Sequence, residues 1–248
     1  TGTASVSYSV WNGTTWSAKQ DITVPISGLA QQLYLAANPN SLSNEMVLLV
    51  CDDSSNDYAL VWNGSSWGNS IALGTLTPKD TSLDSSLAYD SQTGHALVVY
   101  DNISGGDSLN YRTWNGTAWS VEKILSPPTG ISNDPTVVVL TADPNSSKLA
   151  LGVLNKNKEI WFSLWDGTSW TNSVIATNAA VSNAIPAFSA AFESQSGDLL
   201  VTYAEASNQV RYRTWSSVGG WSAQLNGPNI GAGETPNVMD LRSNPYSD

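Results

Sequence analysis

The 248-residue sequence predicts an all-β array of repeated four-stranded units, and three observations carry that prediction. The first is a hexapeptide. Trp11-Asn12-Gly13-Thr14-Thr15-Trp16 returns as Trp62-Asn63-Gly64-Ser65-Ser66-Trp67, as Trp114-Asn115-Gly116-Thr117-Ala118-Trp119 and as Trp165-Asp166-Gly167-Thr168-Ser169-Trp170. A degraded copy, one residue longer, runs from Trp215 to Trp221. The first Trp advances by 51, 52, 51 and 50 residues, a fixed step of the size that marks repeat architectures. The second observation is the flanking pattern: short runs, alternating or apolar, each bounded by turn residues, with no sustained helical period. The third is that four such runs fit each period. Together they select a β-propeller of four-stranded antiparallel blades with a repeat of about 51 residues, because a prism or β-helix needs a shorter repeat.

Asn-Gly and Asp-Gly between apolar runs signal hairpins, since both residues tolerate φ > 0. Each hexapeptide is therefore read as the last hairpin of a blade. Its paired indoles clamp the two strands and cover the seam to the next blade, each burying about 150–250 Å². The ten anchors are Trp11, Trp16, Trp62, Trp67, Trp114, Trp119, Trp165, Trp170, Trp215 and Trp221.

In chain order, residues 4–11 and 16–24 form the first hairpin. The first repeat, near 31–80, reads as strand A over 32–37, B over 45–51, C over 58–62 and D over 67–73. The second, near 81–132, has strands at 83–89, 96–100, 109–114 and 119–124. The third, near 133–183, has them at 136–142, 149–154, 159–165 and 170–176. The fourth, near 184–233, has them at 187–192, 199–203, 209–215 and 221–225, and the tail adds one more strand A over 237–243. A single domain of five blades is expected, the closing blade split between 1–30 and 234–248. That blade lacks a strand B, about ten residues by comparison with the complete repeats. Either a longer chain supplies it or a partner or neighbouring subunit donates it, because open edges are filled by strand addition.

Charged residues are 12% of the chain, and acids outnumber bases 21 to 10 at a pI near 4.3. That balance argues against nucleic acid, which needs a basic footprint. No apolar stretch reaches the roughly 18 residues of a membrane span, so no membrane insertion is expected. Ser, Thr, Asn and Gly in place of charges suit an extracellular or cell-surface β protein, and a start at Thr1 with no signal segment reads as a mature or trimmed product. The lone Cys51 follows an apolar run and reads as a buried free thiol; it excludes an internal disulfide framework.

Lines such as Tyr111-Arg112-Thr113-Trp114-Asn115-Gly116 and Tyr212-Arg213-Thr214-Trp215 resemble the Trp-rich repeats of bacterial secreted and cell-surface β-propellers. The turn also looks like a shortened Asp-box, the hairpin signature of sialidase-like propellers, with Asp166-Gly167-Thr168-Ser169-Trp170 as its nearest copy. That resemblance implies fold and transfers no catalytic residue. Aromatic hairpins are similar, too, to propeller lectins, which implies sugar sites between blades.

The candidate chemistry is sparse. Arg112, Arg211, Arg213 and Arg242 form no triad, and His95 is the single His, read as a solvated turn residue. On the inner strands Tyr34, Asp84, Asp240 and Arg242 share one face and are the candidates for a ligand-binding channel, Asp84 and Asp240 also for a glycosidase-like carboxylate pair. The acidic loops carry Asp52, Asp53, Asp57, Asp80, Asp101, Asp107, Asp134, Glu205 and Glu234, read as a solvated rim; Asp52, Asp53 and Asp57 are the candidates for Ca²⁺, and no other cofactor is implied. The leading expectation is a non-enzymatic extracellular propeller acting as a structural, adhesive or protein-interaction module. The alternative is a carbohydrate-binding, lectin-like propeller, and a glycosidase- or sialidase-like enzyme stands behind both.

Overall fold

The computed structural model describes residues 5–24, 26–54, 56–75, 83–102, 108–132 and 134–247. The chain is a β-propeller. A two-stranded hairpin, β1 (Val6–Tyr8) and β2 (Gln20–Ile22), precedes four blades. Blade I is β3 (Ala30–Ala37), β4 (Glu45–Asp52), β5 (Asn56–Asn63) and β6 (Trp67–Thr75). Blade II is β7 (Ser85–Tyr89), β8 (Ala96–Asn102), β9 (Ser108–Trp114) and β10 (Lys123–Leu125). Blade III is β11 (Pro135–Ala142), β12 (Leu149–Asn155), β13 (Ile160–Trp165) and β14 (Trp170–Thr177). Blade IV is β15 (Phe188–Phe192), β16 (Leu199–Ala204) and β17 (Gln209–Ser216), whose outer partner is broken into β18 (Gly220–Trp221) and β19 (Leu225–Asn229). Each sheet is an antiparallel meander in chain order, the arrangement that short loops between consecutive strands dictate.

The hexapeptide turn works differently from the expected pair of φ > 0 residues. Only its glycine is left-handed, with φ of 95°, 97°, 88° and 101° at Gly13, Gly64, Gly116 and Gly167. The preceding Asn or Asp stays at negative φ and turns its side chain back onto the chain. Asn12 Oδ1 accepts the Thr14 and Thr15 N–H at 2.9 and 2.8 Å, and Asp166 Oδ1 accepts those of Thr168 and Ser169 at 2.8 Å each. This Asx geometry explains why Asn and Asp exchange freely there.

The core lies between blades. Blades I and II share one apolar layer, II and III a second, III and IV a third, and the hairpin covers the outer part of blade I. The B strands β8 and β12 are buried along their whole length, the mark of a strand covered on both faces. Cys51 is buried, its Sγ 3.3 Å from Ser85 Oγ of the next blade. Where a blade precedes, the inner-strand leucine is covered, as at Leu87 (8% exposed); on blade I, which has only the hairpin before it, Leu35 is 60% exposed. Trp62, Trp114, Trp165 and Trp215 are buried, whereas Trp11 and Trp16 of the hairpin are exposed.

The tail differs from expectation. Residues 237–243 form no strand, because no B strand lies beside them among the described residues. They nevertheless occupy a strand-A slot. The Leu241 N–H donates to Ser189 Oγ at 3.0 Å, as the Leu140 N–H of blade III does to Ser86 Oγ at 3.0 Å. Likewise Ser194 Oγ donates to Asn244 O at 2.6 Å, as Ser91 Oγ does to Asp143 O at 2.7 Å.

A second, longer period runs beneath the first. Tyr8 of the hairpin meets Trp62 and Trp67 edge-on at 5.5 and 6.2 Å, and Tyr111 of blade II meets Trp165 and Trp170 at 5.6 and 5.9 Å. At the other interfaces an indole N–H reaches back to a bulge carbonyl: Trp119 Nε1 to Asn69 O at 2.8 Å, and Trp221 Nε1 to Asn172 O. Asn69 and Asn172 are left-handed residues, with φ of 47° and 51°. Blades therefore alternate in kind, and so do the seams between them.

Candidate functional site

The site grows from one structural position, the residue just before or at the start of each B strand. The A–B turn places it: the backbone N–H of Asn38, Asp90, Asp143 and Glu193 donates to the carbonyls of Glu45, His95, Lys148 and Asp198 at 2.9, 2.9, 3.0 and 2.7 Å. These four side chains stand at the entrance of successive seams, and the first Trp of the next blade faces each of the first three.

At the I/II seam Glu45 closes the entrance. Its carboxylate accepts Tyr89 Oη–H at 3.0 Å through Oε1 and Trp114 Nε1–H at 3.0 Å through Oε2. Burial, then the adjacent Glu45 charge, pushes the Tyr89 hydroxyl far above its ordinary range. At the III/IV seam Lys148 turns to Asp143 Oδ2 at 3.8 Å, and Trp215 Nε1 is buried with no acceptor among the described residues.

At the II/III seam the entrance is open. His95 is exposed, and Ala142 replaces the tyrosine that blade II has at position 89. A cavity of about 240 Å³ lies here, lined by Asp90, His95, Thr113 and Lys123 from blade II and by Trp165 and Thr168 from blade III. Trp165 Nε1–H has no acceptor among the described residues. Lys123 Nζ lies 5.9 Å from the centre of the Tyr111 ring and has no ion-pair partner among the described residues. Lys19, Arg112, Lys148, Lys156, Arg211 and Arg242, by contrast, each have a carboxylate within 3.9 Å. The nearby acids are turned inward. Asp90 Oδ1 accepts the Gln92 and Thr93 N–H at 3.0 and 2.6 Å, and Thr93 Oγ1 donates to its other oxygen. Burial raises the Asp166 carboxyl, but hydrogen bonds from Ser169 and Thr168 outweigh it and hold the group below the usual range. A related groove recurs at the hairpin/I seam, walled by Val10, Met46, Trp62 and Gly64 and more apolar.

The channel residues expected from the sequence are not brought together. Tyr34 packs into the I/II layer, with its hydroxyl 3.5 Å from Gln32 Oε1. Asp84 is buried beside the parallel bridge Leu83–Val137 that joins the inner strands of blades II and III. Asp240 lies exposed on the tail and pairs with Arg242 on its own segment at 3.1 Å. The face assigned to a channel is thus the face toward the next blade: Ser86 and Ser189 cap its backbone, and Thr141 Oγ1 donates to Ala190 O at 3.3 Å.

The Ca²⁺ expectation also gives way. Asp52 is buried, with Oδ2 accepting the Ser27 and Gly28 N–H at 3.1 and 3.0 Å and Oδ1 those of Ser54 and Asn56 at 2.9 and 2.8 Å. Burial raises its carboxyl, but the bonds from Asn56, Gly28 and Ser27 outweigh that and lower it. A carboxylate surrounded by N–H donors clamps loops and leaves no lone pair for a cation. Asp53 Oδ1 takes the Leu29 N–H at 2.9 Å, and Asp57 is buried. No group of three or more metal-ligating side chains occurs among the described residues. The acidic rim is in part interior, since Asp101 is buried as well; Asp80 and Asp107 lie outside the described residues.

Sequence reasoning passed over Lys123, Thr113 and Thr168 and set His95 aside as a turn residue. The available signal was the series Glu45, His95, Lys148, Asp198, legible once the A–B turns are aligned on one another.

No sequence-family model matches the chain, and no curated protein matches it in sequence. Solved structures do. The fucose-specific lectin from Aleuria aurantia aligns with TM-score 0.55 at 15% identity, covering 92% of this chain and 72% of that one. AofleA from Arthrobotrys oligospora aligns with TM-score 0.50 at 16% identity, and this chain spans 65% of its length. The NanB sialidase from Streptococcus pneumoniae aligns with TM-score 0.48 at 12% identity, over 54% of that chain. The Aleuria aurantia match, at 15% identity, shows the propeller fold alone.

Proposed function

We propose that this propeller binds carbohydrate and performs no chemistry on it. The observation that carries the reading is the open II/III seam: a cavity of about 240 Å³ edged by an indole, two threonine hydroxyls, an imidazole and an ammonium with no ion-pair partner among the described residues. Sugars are recognised by such a combination, an apolar wall beside several fixed polar groups that meet their hydroxyls. The lectin from Aleuria aurantia, a propeller of the same fold that is fucose-specific by name, supports the reading. Binding rather than hydrolysis is inferred because Asp84 and Asp240, the expected carboxylate pair, lie in separate environments. An extracellular or cell-surface setting, where glycans are encountered, belongs to the same proposal.

The test is a broad glycan array, followed by titration of the hits with Trp fluorescence. Binding is expected at one or more sugars and is expected to disappear in Thr113→Phe, whose ring fills the cavity. A flat array overturns the reading.

One observation favours a second role in protein association. Leu35 on β3 and Trp11 of the hairpin are both exposed and wall one apolar groove. A patch of this kind is an association surface. Sedimentation should show self-association or complex formation that Leu35→Lys abolishes; a monomer at all concentrations, inert to other proteins, counts against it.

A further inference from the structure

The sealed I/II seam serves as an internal template for the open II/III seam. In the first, the slot beside the indole holds a carboxylate, that of Glu45, gripped by Trp114 Nε1–H and the Tyr89 hydroxyl at 3.0 Å each. In the second, the indole N–H of Trp165 has no acceptor among the described residues, Ala142 at the position of Tyr89 brings no hydroxyl, and His95 stands where Glu45 stood. Lys123 adds an ammonium to the wall. Both carboxylates in the neighbourhood have their oxygens committed. Those of Asp90 are held by the Gln92 and Thr93 N–H and the Thr93 hydroxyl, those of Asp166 by Thr168 and Ser169. The slot therefore offers N–H donors and one ammonium and lacks the acceptor that its sister contains.

We propose that the II/III cavity selects an acidic saccharide, a uronic acid or another carboxylate-bearing sugar, whose carboxylate takes the place that Glu45's takes one seam earlier. This rests on the glycan-binding reading of the same cavity and names its ligand class. The III/IV slot is not a second copy, because Lys148 is held by Asp143 and the Trp215 edge is buried. The hairpin/I groove has Val10 in the place of Thr113 and Gln20 in the place of Lys123, and so lacks the cation.

The experiment compares glucuronate with methyl glucoside, its neutral counterpart, by calorimetry and Trp fluorescence in the wild type, His95→Glu and Lys123→Ala. Glucuronate is expected to bind at least about tenfold more tightly than the neutral sugar, and to weaken as salt is raised. His95→Glu, which fills the slot with the protein's own carboxylate, should abolish that binding at unchanged melting temperature. Lys123→Ala should lower glucuronate affinity by about tenfold and the neutral sugar's affinity by clearly less. Equal binding of the two sugars, or glucuronate binding untouched by His95→Glu, overturns the proposal. A neutral-only response overturns it while leaving the glycan-binding reading in place; silence of both sugars and of the glycan array removes both.

Discussion

The I/II and II/III seams share a strand plan, an A–B turn and an indole pair, yet the entrance of one is closed and that of the other open. Two positions set the entrances apart. Glu45 becomes His95, Tyr89 becomes Ala142, and the acceptor that joined two donors across the seam is gone. The lesson concerns polar groups at buried seams. A carboxylate that satisfies two donors knits blades together, and removing it leaves either orphaned donors, as at Trp215, or a cavity that water or a ligand can fill.

The largest expected effect comes from breaking the closed seam. Glu45→Ala leaves the Tyr89 hydroxyl and the Trp114 N–H without their acceptor, and should cost about 2–4 kcal/mol in denaturant unfolding. Glu45→Gln, which keeps one acceptor, should cost less than half of that. Equal stability of wild type and Glu45→Ala would mean that water replaces the carboxylate at no cost, and that the two seams differ only in shape.

Next in size is the clamp that holds the hairpin's exit loop to blade I. Asp52 has a folded pKa below its unfolded value of about 3.9, so its contribution is fully present above that value and is lost as pH falls through the folded pKa. Acid unfolding below about pH 4 should therefore be less steep in Asp52→Asn than in the wild type, and Asp52→Ala should cost about 1–3 kcal/mol at neutral pH. An unchanged acid limb in Asp52→Asn would place the pH sensitivity elsewhere.

The smallest effect sharpens the comparison by conversion. The double variant Asp143→Asn/Lys148→Glu gives the III/IV seam the Asn38/Glu45 pair of I/II and supplies an acceptor to Trp215 Nε1. It should stabilise by about 0.5–1.5 kcal/mol, measured by thermal or denaturant unfolding. It should fall short of the native I/II seam, because Phe192 stands where Tyr89 supplies a second donor. Destabilisation would show that the slot there cannot accept a carboxylate.

The strand plan, the hairpins and the four-stranded blades were legible in the sequence because they depend on neighbours. Gly13, Gly64, Gly116 and Gly167 mark turns through their left-handed backbone, and β8 and β12 announce their double burial in largely apolar runs. The candidate site was much less legible. Its parts come from different repeats, Glu45 meeting Trp114 and His95 facing Trp165, and a reading that superimposes every repeat on a period near 51 averages away the alternation that separates one seam from the next.

The sequence by itself determined that short strands fill each period, that they form a propeller, and that indoles lie at its seams, since these follow from side-chain alternation and turn chemistry within a few residues. Only the tertiary structure decided which acids are loop clamps, that the tail lies in a strand-A slot without forming a strand, and which seam stays open. Those outcomes depend on whether a donor on one blade finds an acceptor on the next, a pairing between residues some 25 to 70 positions apart that no local pattern records.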